Sequence, residues 1–143
     1  MDARKRTTVT VYANAHDERT SGAGCSPDGC VPENTRDEEV WANSRWSCKE
    51  DLEDELCKIT YYFDEPQDIV ELRIAFHKGD ENRRWLRVSL NGDTYSTIES
   101  SGNTLGYQTF YLNSDETKDL CLEAVSLDGD EWISITEVRI LCC

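Results

Sequence analysis

The sequence predicts an all-β fold, and three observations carry that expectation. Apolar and polar residues alternate at period two along most of the chain, sustained helical periodicity is nearly absent, and clusters of Gly, Asn, Asp and Ser separate the alternating runs. Thr8 to Tyr12 opens as a short strand. Residues 14 to 47 carry turn residues with little pattern and read as one long loop, a length that usually needs function, bridges or metal to hold it. Cys57 to Phe63 sets Ile59, Tyr61 and Phe63 against Lys58, Thr60 and Tyr62, and Glu65-Pro66-Gln67 is read as the turn that ends it. Ile69 to Phe76 follows, with Val70, Leu72, Ile74 and Phe76 on one face and Glu71, Arg73 and Ala75 on the other.

The bend His77 to Asn82 leads into Trp85 to Leu90, whose Leu86, Val88 and Leu90 point inward, and Asn91-Gly92 is a strong hairpin signal with Thr94 to Ile98 as the returning strand. After a loop at Ser100 to Thr104, Tyr107 to Leu112 reads as a strand. Leu120 to Leu127 and Trp132 to Leu141 read as a final pair around Asp128-Gly129-Asp130. About eight strands result, and without crossover helices between them they imply a two-sheet antiparallel sandwich, not a parallel sheet.

The chain has 143 residues, with 15 Lys+Arg against 29 Asp+Glu and a net charge of −14. One domain spanning 1–143 is expected at this length. So anionic a chain lacks the basic stripe of a nucleic-acid binder. No apolar run approaches the roughly 20 residues that span a bilayer, so membrane insertion is not expected either. The opening Met1 to Thr8 lacks the apolar stretch of a secretory leader, so an extracellular setting implies a module of a longer protein.

Seven cysteines are too many for ordinary usage. Zinc would call for paired short hooks or a Cys/His mixture, which the spacing lacks, so disulfides in an oxidising compartment are the better reading. On proximity, Cys25 pairs with Cys30 across Ser-Pro-Asp-Gly, Cys48 pairs with Cys57 across the acidic segment, and Cys121 pairs with Cys142 or Cys143, leaving one thiol over.

Four stretches in order carry a family likeness: Ser44-Arg-Trp-Ser47, Glu65 to Asp80, Ser100-Ser-Gly-Asn-Thr-Leu105 and Trp132 to Ile140. Over residues 8–141 they resemble the discoidin, or coagulation factor V/VIII type C, superfamily, and within it the family-32-like carbohydrate-binding modules appended to polysaccharide-degrading enzymes. That resemblance implies an eight-stranded, galactose-binding-like jelly roll with ligand loops at one end, and a structural calcium. The segment Arg36 to Asn43 is longer than the family's usual turn, and the cysteine content is high.

His77, Lys78, Arg83 and Arg84 gather four cationic or titratable side chains near one bend of an acidic chain. As sugar ligands, Lys and Arg would donate to hydroxyls or to a uronate carboxylate, Asp80 would accept, and Gly79 would let the backbone turn tightly. The plainer alternative is a solvated loop whose charges pair locally. Arg45 is placed beside them. An aromatic face suits the apolar side of a pyranose, and Trp132 after Asp130 is the first candidate, Trp41 the second; Trp46 is read as core. Asp130 would be an acceptor or simply a turn former.

For calcium, Asp37, Glu38 and Glu39 with Asn43 and Ser44 offer hard oxygens, and the resemblance adds Glu137; a solvated acidic loop is the alternative. Glu137 is read as sharing a face with Ile133, Ile135 and Leu141. No nucleophile elbow, zinc helix or phosphate loop is present. The expected function is therefore a non-catalytic extracellular module recognising a polysaccharide or glycan. Its rival is a structural or adhesion module assembling with other copies or chains of a matrix.

Overall fold

A computed structural model of the chain describes residues 1–17, 25, 29–36, 44–49, 56–127 and 132–143. Its strands are β1 (Val9–Ala13), β2 (Trp46–Lys49), β3 (Lys58–Phe76), β4 (Arg84–Leu90), β5 (Asp93–Glu99), β6 (Gln108–Leu127) and β7 (Trp132–Cys142), with short 3₁₀ turns at Ala3–Lys5 and Pro32–Arg36. Every strand pairing is antiparallel, as the alternation predicts. The described residues form seven strands where the sequence suggests eight, because β3 and β6 each run through a break expected to divide them, and β2 begins inside the expected long loop and runs past its end.

The Glu65-Pro66-Gln67 turn is one of those breaks. There β3 continues, and its register on β6 shifts between Tyr62↔Asp119 and Gln67↔Thr117. Pro66 has no N–H to give a ladder, so an irregular stretch is where a strand tolerates it. On the facing strand Glu116 adopts a positive φ of 50° at the same corner.

These corners turn one hydrogen-bonded path, β2-β7-β3-β6-β4-β5 with β1 on β3, into two layers. The first half of β3 pairs with β1 and the second half of β6, which also carries β4. Beyond the corner, β3 pairs with β7 and the first half of β6, and β7 carries β2. Val11, Ile59, Tyr61, Leu86, Val88, Leu120 and Leu122 of one layer share a core with Trp46, Leu72, Ile74, Phe76, Ile133 and Ile135 of the other. Trp46, 1% exposed, is core as expected, with its Nε1 donating to Ala15 O at 3.0 Å.

The Asn91-Gly92 hairpin forms as predicted, with positive φ of 53° and 83° at its two central residues, the signature of a type I′ turn. Asn91 also accepts the Lys118 N–H at 2.6 Å and donates to Glu116 O at 3.3 Å, tying this turn to the β6 corner.

Three expectations need correction. The stretches 120–127 and 132–141 are not a pair: β3 lies between β6 and β7. For the same reason Cys121 does not bond Cys142 or Cys143, and all three are free thiols. Cys121 sits opposite Thr60 and Cys142 opposite Ile69, nine residues further along β3, and Cys121 points away from the core that Cys142 joins. Cys25–Cys30 and Cys48–Cys57 do form, with Cα separations of 5.2 and 6.0 Å. Glu137, finally, leaves the face of Ile133 and Ile135. A register shift between Ala75 and Phe76 changes the parity of β7, so that Val138, Ile140 and Cys142 enter the core beyond it.

Candidate functional site

Strands β2, β7 and β3 end together at one edge of their layer. Trp46, Ile133, Ile135 and Phe76 are held in the core, so alternation turns Ser47 and Ser134 to the outer side. Ser47 faces Ser134 in register, their hydroxyls 2.7 Å apart, and Arg45 Nε donates to Ser47 Oγ at 3.0 Å. His77, directly after β3, donates its N–H to Ser134 O at 3.0 Å. Around these groups lies a cavity of about 170 Å³ lined by Asp17, Arg45, Ser47, His77, Lys78, Trp132 and Ser134. That is smaller than the roughly 300–1,000 Å³ of sites for drug-sized ligands and suits one small polar ring.

The bend that presents Lys78 is tightly constrained. Lys78 itself holds the positive φ, 57°, while Gly79 is needed for a different reason from the one expected. A Cβ at Gly79 would lie 2.5 Å from Thr104 O and 3.1 Å from Phe76 Cβ. Thr104 donates its N–H to Gly79 O at 3.3 Å, so the loop after Ser100 is packed directly onto the bend.

Of the residues singled out in the sequence, Arg45, His77, Lys78 and Trp132 meet at this cavity, and Asp80, Arg83 and Arg84 do not line it. Asp80 is exposed on the bend. Arg83 pairs with Glu99 and lies 5.3 Å from the Trp85 ring centre. Arg84 is only 2% exposed; its Nη1 donates to Arg83 O at 3.0 Å and its backbone N–H to Ser100 Oγ at 2.7 Å. The expected group of cations therefore divides between the cavity and the start of β4, because Arg84 falls on the inward parity of that strand with Leu86 and Val88. Asp130 and Trp41 lie outside the described residues.

The proposed metal set is only partly described. Asp37, Glu38, Glu39 and Asn43 lie outside the described residues, among which no group of three or more His, Cys, Asp or Glu is suited to a metal. Ser44 and Glu137 are both buried, Glu137 completely, and its Oε1 accepts the Val138 N–H at 3.3 Å. Trp46 pairs with Ile135, and Ser44 precedes that pair by two residues in sequence while Glu137 follows it by two.

Sequence reading missed Asp17, Ser47 and Ser134 as cavity residues. For Ser134 the signal was there: period two from Ile133 and Ile135 sets it on the face of Trp132. Asp17 had none. It is delivered by a bridge to Cys30 within a stretch of no periodicity, donating its N–H to Ser47 O at 2.7 Å.

No family model and no curated protein matches the chain. Solved structures do. The CBM32 of AlyQ, in complex with 4,5-unsaturated mannuronic acid, aligns at TM-score 0.75 and 23% identity over 92% of this chain and 93% of that one. A pectin binding carbohydrate binding module aligns at 0.72 and 20%, covering 94% and 91%. The family 32 module from C. perfringens NanJ, in complex with galactose, aligns at 0.65 and 13%, covering 92% of each chain. The chain has the fold of the family 32 carbohydrate-binding modules. That galactose-binding-like architecture is what the four sequence stretches implied, and at these identities the likeness is one of fold.

Proposed function

We propose that this chain is a non-catalytic glycan-binding module whose cavity takes one residue of an acidic sugar chain. The observation that carries the reading is the meeting of Arg45, His77, Lys78 and Trp132 around one small cavity in a chain of net charge −14. Concentrating cations there favours a carboxylate ligand, since the rest of the surface would repel one. Arg45 and Lys78 bind the carboxylate and neighbouring hydroxyls, His77 donates or accepts at the rim, Asp17 accepts from a hydroxyl, and Trp132 stacks on the apolar face of the ring. Fold neighbours that include one in complex with 4,5-unsaturated mannuronic acid and a pectin binding module support a uronate; the galactose-bound one supports the broader class of glycan.

Titration calorimetry with mannuronate, galacturonate and galactose oligosaccharides tests this. Binding of a uronate oligomer, weakened at least about tenfold by Lys78→Ala or Arg45→Ala, is expected. Absence of binding to all three, or binding indifferent to both substitutions, overturns the reading.

Two disulfides support an extracellular setting. Structural calcium is proposed near Ser44 and Glu137, where it would neutralise a buried carboxylate; chelation should lower the melting temperature and added calcium restore it. A melt unchanged by either argues against it. The adhesion reading is favoured by one feature, the exposed thiol of Cys143. It predicts a dimer on non-reducing gels that collapses on reduction.

A further inference from the structure

One wall of the cavity joins Asp17 and Ser47, from separate stretches of the chain, and a third segment behind it holds them. Asp17 donates its N–H to Ser47 O at 2.7 Å, Ser47 donates to Cys30 O at 3.2 Å, and Cys30 donates to Asp17 O at 2.8 Å. The three backbones thus close a ring of hydrogen bonds. Asp17 and Ser47 line the cavity; Cys30, completely buried, does not.

Cys30 is in turn tied to Cys25 by a disulfide. Asn34, buried behind the wall, donates from one Nδ2 to Gly29 O at 3.1 Å and to Arg45 O at 2.9 Å. A single amide therefore braces the residue before Cys30 against the backbone of Arg45, whose guanidinium is aligned by Ser47.

We propose that Asn34 and the Cys25–Cys30 disulfide are positioning elements for ligand affinity: together they set Asp17, Arg45 and Ser47 in the binding arrangement without touching the sugar. This rests on the glycan reading of the cavity. The physical reason is that a carboxylate held by charge-assisted hydrogen bonds is sensitive to small displacements of its donors. A wall drawn from residues 17 and 47 and backed by residue 30 gains its geometry from cross-links, since no one strand contains it. The Cys48–Cys57 bridge joins the far end of β2 to the residue before β3, so the two bridges act at different places.

The test uses the full chain with Asn34→Ala and, separately, the double substitution Cys25→Ser/Cys30→Ser. Affinity for mannuronate and galacturonate trisaccharides is measured by calorimetry, and amide hydrogen exchange is followed residue by residue. Each variant should bind about tenfold more weakly. In each, exchange should quicken at the amides of Asp17 and Ser47, while those of Ile59 and Leu122 in the central strands keep the wild-type rate.

Affinity within about twofold of wild type in both variants overturns the proposal. So does a loss accompanied by uniformly faster exchange across β3 and β6, which marks general destabilisation. If the double substitution does not fold, Asn34→Ala decides. If the unaltered chain binds neither trisaccharide, the uronate reading fails by itself, and exchange then decides the bracing: unchanged rates at Asp17 and Ser47 overturn it.

Discussion

Gly79 shows how much one missing methyl group decides. Its Cα approaches Thr104 O so closely that a Cβ would stand 2.5 Å from that oxygen, against backbone that has no flexible end to move. Gly79→Ala should cost about 1–3 kcal/mol in urea unfolding, the range for overpacking a close contact. It should also weaken ligand binding, because Lys78 is the preceding residue; unchanged stability would show that the 100–106 loop yields freely. Tyr61 carries a pH dependence. Its hydroxyl is fully buried and bonds Thr35 Oγ1 at 2.7 Å, and desolvation is the main reason its ionisation is pushed well above the ordinary tyrosine range.

The raised value means the folded state keeps a proton that the unfolded state loses. Stability is therefore full below about pH 10 and declines as pH rises from there toward the folded-state value, with a slope of up to about 1.4 kcal/mol per pH unit. Denaturant midpoints between about pH 9 and pH 11 should fall in the wild type and fall less in Tyr61→Phe. Equal slopes in the two proteins would show that Tyr61 ionises freely in the fold.

At the level of elements, the β4–β5 hairpin separates conformational from steric cost. Gly92 has a φ of 83° and no atom within 4 Å of where a Cβ would stand. Gly92→Ala should thus cost about 1–2 kcal/mol through left-handed backbone alone, read as a lower denaturation midpoint. Gly92→Asn should recover part of that loss, since Asn tolerates the conformation. No recovery would imply a contact on this turn. The β3 corner shows the opposite relation between sequence and element. Glu65-Pro66-Gln67 has the composition of a turn, yet a strand crosses it, because the layers on either side supply partners for both halves of β3 and the corner absorbs the unpaired residues.

For the whole molecule, electrostatics sets the conditions under which the cavity works. A body of net charge −14 repels a polyanion at long range, while in the proposed binding mode Arg45 and Lys78 attract one carboxylate at short range. The two respond differently to salt. Between about 0.01 M and 1 M the screening length falls from about 30 to 3 Å, so long-range repulsion is removed before the contact attraction is. Affinity for a uronate polymer should first hold or rise with added NaCl and fall only at high salt, whereas a uronate trisaccharide should show only the fall. A polymer affinity that declines steeply from the lowest salt would point to a basic surface that the net charge does not suggest.

The features legible in neighbouring residues were local ones. Period-two alternation set the all-β class, the core face of β4 and most of that of β3, where Ile69 is buried in place of Val70; aromatic size set the inward position of Trp46; turn chemistry set the Asn91-Gly92 hairpin; and proximity sufficed for Cys25–Cys30 and Cys48–Cys57. The grouping of Arg45, His77 and Trp132 was also anticipated. Long-range pairing settled the rest: that β3 parts β6 from β7 and leaves three thiols free, that Arg84 turns inward, and that Asp17, Ser47 and Ser134 complete the cavity. The physical reason is range. Alternation and turns are written in neighbouring residues, whereas the order of strands and the register beyond a bulge depend on pairings between distant segments, and a shift of one residue reverses every side chain that follows.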